Sequence, residues 1–195
     1  MKKIMFFALA IASIGLFSFT PKKSTKKTSN DIINFTVDGN KSKVNWTGSK
    51  KSDFHTGYFP VKSGNVQVDG GKLTGGSFII NLKEINLTDG TGDDLKKHLL
   101  SPAFFDIEKF MDATFTITKV EYNNPKANKA TITGNLSLHG ISAPVTFTAS
   151  IRNADEKGFF AEAFLPFDRT VFGINYGVGM IDTEVQLAIH IYGSK

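Results

Sequence analysis

The sequence predicts an all-β domain of about eight antiparallel strands, interrupted by one short helix-and-turn excursion. Apolar residues alternate with polar ones in segment after segment, the period-two signature of a strand with one buried face. Turn signals such as DGN, KSGN, DGGK, HGISAP and ADEKG separate the segments. Nothing between them reads as a crossover helix, which parallel strands would require. Strands with one apolar face each can form a sandwich or a closed barrel, and periodicity alone does not choose.

Residues 1–20, MKKIMFFALAIASIGLFSFT, join two lysines to an apolar run of signal-peptide length and read as a secretion signal. The expected location is therefore periplasmic or secreted. Residues 21–31, PKKSTKKTSND, carry four lysines and no apolar periodicity, so they read as a flexible tether able to touch an anionic membrane surface. The domain proper is expected over 32–195.

Three segments alternate cleanly. TITGNLSLH sets Ile132, Gly134, Leu136 and Leu138 on one face, and APVTFTASI sets Val145, Phe147, Ala149 and Ile151 on one face. EVQLAIHIY does the same with Val185, Leu187, Ile189 and Ile191. Less regular strands are expected over 34–38, 43–48, 57–69, 73–81, 113–122 and 157–167. In the second of these Trp46 alternates with Val44, and its indole N–H needs a partner if buried.

The helix is expected over Asp93–Leu99. Thr91 with Asp94 resembles a capping box, and Asp93 and Asp94 suit the positive end of the helix dipole. Ser101-Pro102 ends it and opens a tight turn through Asp106.

Six of the 23 Lys and Arg lie in residues 1–30 with none of the 18 Asp and Glu, which leaves 17 basic against 18 acidic residues beyond residue 30. A domain so balanced has no field to steer a polyanion, so nucleic acid is not an expected partner. The absence of cysteine excludes disulfides, thiolate metal sites, cysteine nucleophiles and a cysteine-anchored lipoprotein. There is no G-x-S-x-G motif, no phosphate-cradling glycine loop and no compact acid pair beside a histidine, so no enzyme activity is expected. His55, His98, His139 and His190 lack metal-ligand spacing, and no metal or cofactor is expected.

Four segments resemble those of the YceI-like family, in the family's order. They are HTGYFPVKSGNVQV (55–68), DDLKKHLLSPAFFDIEKFMDATF (93–115), GNLSLHGISAPVTF and FDRTVFGINYG (167–177). One departure is visible, Met111 standing where the family often has proline before D-A-T-F. The resemblance implies an extended lipocalin-like barrel, which periodicity could not select, and an elongated apolar cavity holding a polyisoprenoid or other long-chain lipid. The function it implies is that of an exported binding protein that carries or sequesters such a ligand.

The candidate cavity or mouth residues are Trp46, Phe78, His98, Phe104, Phe105, Phe110, Phe115, Phe147, Phe164, Arg169, Phe172 and Tyr176. His98 is a candidate donor to a headgroup. Arg169 is expected either in an ion pair with Asp106 or Asp168, or as an anchor for an anionic headgroup. Phe104, Phe105, Phe110 and Met111 are expected to plug one barrel end or to form its mouth. Beyond residue 30 there are 14 Phe, enough to fill a barrel instead of lining it. The rival reading is thus a ligand-free structural barrel that acts through its surface or its tether.

Overall fold

The structure is a computed structural model that describes residues 32–124 and 128–195. The signal and tether expected over 1–31 lie outside the described residues. The strands are β1 (Ile33–Val37), β2 (Lys43–Lys50), β3 (Asp53–Asp69), β4 (Lys72–Asn81) and β5 (Asn86–Leu87). After helix α1 (Asp93–Leu100) follow β6 (Asp112–Glu121), β7 (Lys129–Leu138), β8 (Ile141–Asp155), β9 (Gly158–Asp168) and β10 (Glu184–Ser194). A 3₁₀ turn at Arg169–Phe172 follows β9.

All pairings between strands are antiparallel, and β9 with β10 closes the sheet through ten residue pairs from Glu184↔Asp168 to Gly193↔Phe159. Ten strands make eight barrel walls because two walls are each built from two consecutive strands. β1 and β2 both lie between β10 and the 17-residue β3, which pairs β1 through its C-terminal half and β2 through its N-terminal half. β5 likewise extends the place of β4 beside Gly57 and Tyr58. The sequence-predicted barrel is therefore the observed one.

The break between β1 and β2 is bridged by Ser42, which is fully buried. Its hydroxyl accepts the N–H of Tyr192 at 2.9 Å, and its carbonyl accepts the N–H of Val61 at 3.3 Å. Side chain and main chain of Ser42 together thus supply bonds the interrupted ladder would otherwise leave unmade.

Antiparallel closure sorts the connections to two ends. The β2–β3 hairpin, the 82–111 excursion, the β7–β8 turn and the 169–183 connection share one end. The start of β1 and the β3–β4, β6–β7 and β8–β9 connections share the other. That second end is sealed by Phe35, Val66 and Val68, each no more than 1% exposed, with Phe35 against Phe159 at 6.1 Å between ring centres.

The excursion folds as a helix and turn, with one difference in its start. The N-cap is Gly92, and no side chain caps α1. Thr91 is instead drawn to Asp89, whose Oδ1 accepts its N–H at 3.0 Å, while the other oxygen meets His55 Nδ1 at 2.9 Å. A nearer carboxylate outcompetes the helix for Thr91. The turn then closes through the carbonyl of Ser101, which accepts from Phe104 at 3.0 Å and Asp106 at 2.9 Å.

The barrel cavity as candidate functional site

Inward alternation on every wall leaves the barrel centre hollow. The cavity is about 470 Å³ and almost entirely apolar in its lining. This lies within the range of small-molecule sites and is roughly three times the ~150 Å³ engineered cavity that accepts benzene. The space arises from small residues: Ala149, Ala161 and Ala163 line the cavity, and Ala149 and Ala163 face each other across β8 and β9. Leu or Phe at these positions would fill the interior.

Aromatic side chains stand around the hollow. Phe78, Phe115 and Phe147 form a continuous row across β4, β6 and β8, with ring centres 6.4 and 5.7 Å apart. Phe105 meets Phe59 edge to face at 5.5 Å and Phe104 at 5.0 Å. Trp46 lines the wall on β2, its ring held over the bare backbone of Gly57, the residue opposite it on β3.

The cavity opens at the end that carries α1. Its lining there reaches the exposed Phe54 and Tyr176, together with Lys50, His55 and Asp182. Isolated bridge pairing of Lys50 with Ile181, and the N–H of Asp182 on the carbonyl of Ser49 at 2.9 Å, tie the two sides of this mouth together. His98 of α1 stands at the mouth, its ring edge-on to Tyr176 at 4.4 Å and 6.0 Å from Phe104.

Two polar atoms in this lining are buried without a hydrogen-bond partner: Trp46 Nε1 and His98 Nε2. Buried polar atoms are normally satisfied, and an orphan costs about 1–3 kcal/mol. Both belong to residues that line the cavity.

Arg169 corrects an expectation. It is 3% exposed and makes neither of the ion pairs anticipated for it. Asp106 takes Lys109 at 2.8 Å, and Asp168 accepts the N–H and hydroxyl of Thr170 at 2.9 and 2.7 Å. The guanidinium spends its donors on three backbone carbonyls of the 169–183 connection: Ile174 at 2.5 Å, Asp182 at 3.2 Å and Ile181 at 3.4 Å. Burial pulls its pKa below the usual arginine range, with Asp168 pushing weakly the other way. Its carbon lies 5.7 Å above the Phe104 ring, so it braces the mouth from beneath.

Three candidates lie outside the cavity. Phe164 falls on the outward register of β9, is exposed, and packs edge-on to His190 at 5.9 Å. Phe172 is buried inside the 3₁₀ turn, stacked on Phe167 at 5.3 Å. Phe110 packs beneath the β7–β8 turn against His139 and Gly140, and Met111 points to solvent. Only Phe104 and Phe105 of the expected plug reach the opening. Trp46, Phe78, His98, Phe104, Phe105, Phe115, Phe147, Arg169 and Tyr176 all line the cavity or its mouth. The alanines that make the space went unrecognised, although the inward positions of GFFAEAF already carried the signal: Phe159, then Ala161 and Ala163. Among the described residues no three His, Asp or Glu side chains gather as a metal site.

Comparisons with known proteins agree with this architecture. A Pseudomonas putida UPF0312 protein is 30% identical over 166 residues, covering 81% of this chain and 83% of its own. Protein YceI of Salmonella newport is 28% identical over 201 residues, covering 98% and 97%. Burkholderia cenocepacia BcnA shares the fold with a TM-score of 0.69 at 22% identity, over 81% of this chain and 99% of its own. A polyisoprenoid binding domain from Saccharophagus degradans, implicated in plant cell wall breakdown, follows at 0.63 and 16%, over 82% and 97%. The YceI-like domain model matches residues 35–192, the whole barrel from the second half of β1 into β10, and the chain belongs to that family.

Proposed function

We propose that this protein carries or sequesters a long-chain apolar ligand, an isoprenoid or fatty-acyl amphiphile, with its chain along the barrel axis. The single observation that supports this most is the cavity: about 470 Å³, apolar, open at one end and sealed at the other. A polyisoprenoid is the first candidate, since a neighbour of the same fold is described as a polyisoprenoid binding domain. Each CH₂ moved from water into such a cavity contributes about 0.8 kcal/mol. Ten of them supply about 8 kcal/mol gross, before the cost of association, so a few isoprene units suffice for useful affinity.

The polar end of the ligand sits at the mouth beside His98. Arg169 directs three of its N–H donors to backbone carbonyls, so the polar group that the ligand meets first is the unpartnered nitrogen of His98, which suits a neutral hydrogen-bonding headgroup. Export through residues 1–20 would place the carrier in the periplasm or outside the cell, where a water-insoluble chain needs a soluble escort. Holding the cargo requires no catalytic group.

The test is mass spectrometry of organic extracts from natively purified protein, followed by titration of the delipidated protein with the lipid found. Trp46 is the only tryptophan and lines the cavity, so its emission reports the titration directly. A co-purifying long-chain lipid that rebinds with saturation supports the carrier. Absence of any lipid, together with no binding of prenols or fatty acids, sinks it.

A further inference from the structure

The described residues expose nine large hydrophobic side chains, and seven of them stand on the four connections around the cavity mouth or on the strand ends that adjoin them. A protein scattering such residues at random would spread them over both ends and the barrel side. Among the described residues the opposite end has only Ile32, and the side only Phe164.

The densest part of this crown is the 169–183 connection. From Thr170 to Ile181 it contains no charged residue, and it exposes Val171, Tyr176, Val178 and Met180, the last at 76%. These side chains are held outward by a hydrogen-bonded turn. Met180 and Ile181 both donate to the carbonyl of Gly177, at 2.9 and 2.8 Å, and Gly177 and Gly179 take the positive φ that the turn needs. Arg169 fixes the same segment from beneath. Across the Lys50–Ile181 bridge, the β2–β3 hairpin adds the exposed Phe54 beside Lys51 and Lys50, the latter 3.6 Å from Asp53 in an exposed ion pair that a lipid phosphate can replace.

We propose that this crown docks the open barrel end onto a phospholipid bilayer, Val178 and Met180 entering the acyl boundary and Lys50 and Lys51 lying at the phosphate level. The partner follows from the chemistry. An uncharged apolar loop flanked by lysines matches the layering of a bilayer surface, apolar below and anionic phosphate above. Phe54 and Tyr176 belong both to the crown and to the cavity lining, so the apolar surface is continuous from outside to inside. A chain leaving the bilayer would enter the barrel without exposing its methylenes to water. The inference rests on the carrier reading for its purpose, but its geometry stands on the crown.

The docking end is opposite the start of β1, where residues 1–31 join. Docking by the crown is thereby distinguishable from contact through the lysines of that segment.

The chain has no cysteine, so single labels can be placed cleanly. The full chain carrying Met180→Cys or Lys157→Cys, each labelled with an environment-sensitive fluorophore, is mixed with phosphatidylcholine vesicles. Residue 157 lies in the β8–β9 turn at the sealed end. The expected result is a blue shift at position 180 and none at 157. In parallel, the double variant Val178→Ser, Met180→Ser is compared with the unaltered chain for prenol transfer between vesicles. Neither residue lines the cavity, so prenol affinity in solution stays the same while the transfer rate falls at least tenfold. No shift at 180, equal shifts at both labels, or an unchanged transfer rate overturns docking by the crown. A shift at 180 in a protein that binds no prenol keeps the docking and removes the carrier reading.

Discussion

Arg169 donates from Nη1 to the carbonyl of Ile174 at 2.5 Å, closing the connection that it begins. A buried cation at the mouth of an apolar cavity invites the role of headgroup anchor, yet this guanidinium has turned away to satisfy the backbone of its own loop. Three carbonyls depend on it, spread from residue 174 to residue 182. Its function is to hold the rim in shape.

Replacing Arg169 by Lys therefore does not rescue it, because a single ammonium cannot reproduce a fork that spans three acceptors. Arg169→Lys is expected to destabilise the fold by about 2–3 kcal/mol and Arg169→Met by at least as much, from carbonyls left unsatisfied in a buried site. Urea unfolding measures this. A stability unchanged by Arg169→Met, with a selective loss of anionic lipids, would restore the anchor role.

Gly57 lies under the Trp46 ring, and a Cβ there would come within 2.6 Å of the indole and closer still to the Asn86 carbonyl oxygen. The ring can shift but the β5 backbone cannot move far. Gly57→Ala is expected to cost about 1–3 kcal/mol as an overpacked contact and to displace Trp46. Unfolding curves and the Trp46 emission maximum check both parts.

His98 Nε2 is a buried donor or acceptor with nothing to bond in the ligand-free barrel. His98→Phe retains the ring that packs on Tyr176 and Phe104 while removing the orphan atom. The ligand-free protein is expected to gain about 1 kcal/mol, since deleting an unsatisfied buried polar atom is favourable. Discrimination between a prenol and a hydrocarbon of the same length is expected to fall. Equal discrimination by both proteins would take His98 out of the headgroup site.

Asp89 ties residues 88–91, the approach to α1, onto β3. Hydrogen bonds from the Thr91 hydroxyl and N–H hold its pKa well below the ordinary value of 3.8, with His55 and Thr56 adding to the effect and desolvation opposing it. Because the folded pKa is depressed, the stabilisation is complete above the ordinary value and drains away as pH falls below about 4. Asp89→Asn should lower Tm at pH 7, and the gap between variant and parent should narrow steadily below pH 4. Thermal unfolding across pH 2–7 reads it, and a gap independent of pH would show that the charge of Asp89 does not matter.

Much of this barrel was legible because alternation is a local signal. Val44 with Trp46, and Val185, Leu187, Ile189 and Ile191, face inward as their spacing demands. Phe164 shows what size can obscure: its register on β9 points outward, beside Phe160 stacked on Tyr192 at 4.3 Å. Phe110 and Phe172 lie in irregular segments where no period exists to say which way a ring turns. The engagement of Arg169 was invisible for a different reason. Its partners are main-chain carbonyls, which every residue possesses, so no side-chain pattern could announce them.

The hollow itself depends on Ala149, Ala161 and Ala163, and its most direct test is to fill it. Native mass spectrometry of the delipidated protein with a long-chain prenol, for the parent and Ala163→Phe side by side, measures occupancy at matched concentrations. The expected result is a one-to-one adduct in the parent and at least a tenfold weaker one, about 1.4 kcal/mol, in Ala163→Phe with the fold intact. Equal adducts in both proteins, or none in the parent, would contradict a ligand held within the barrel.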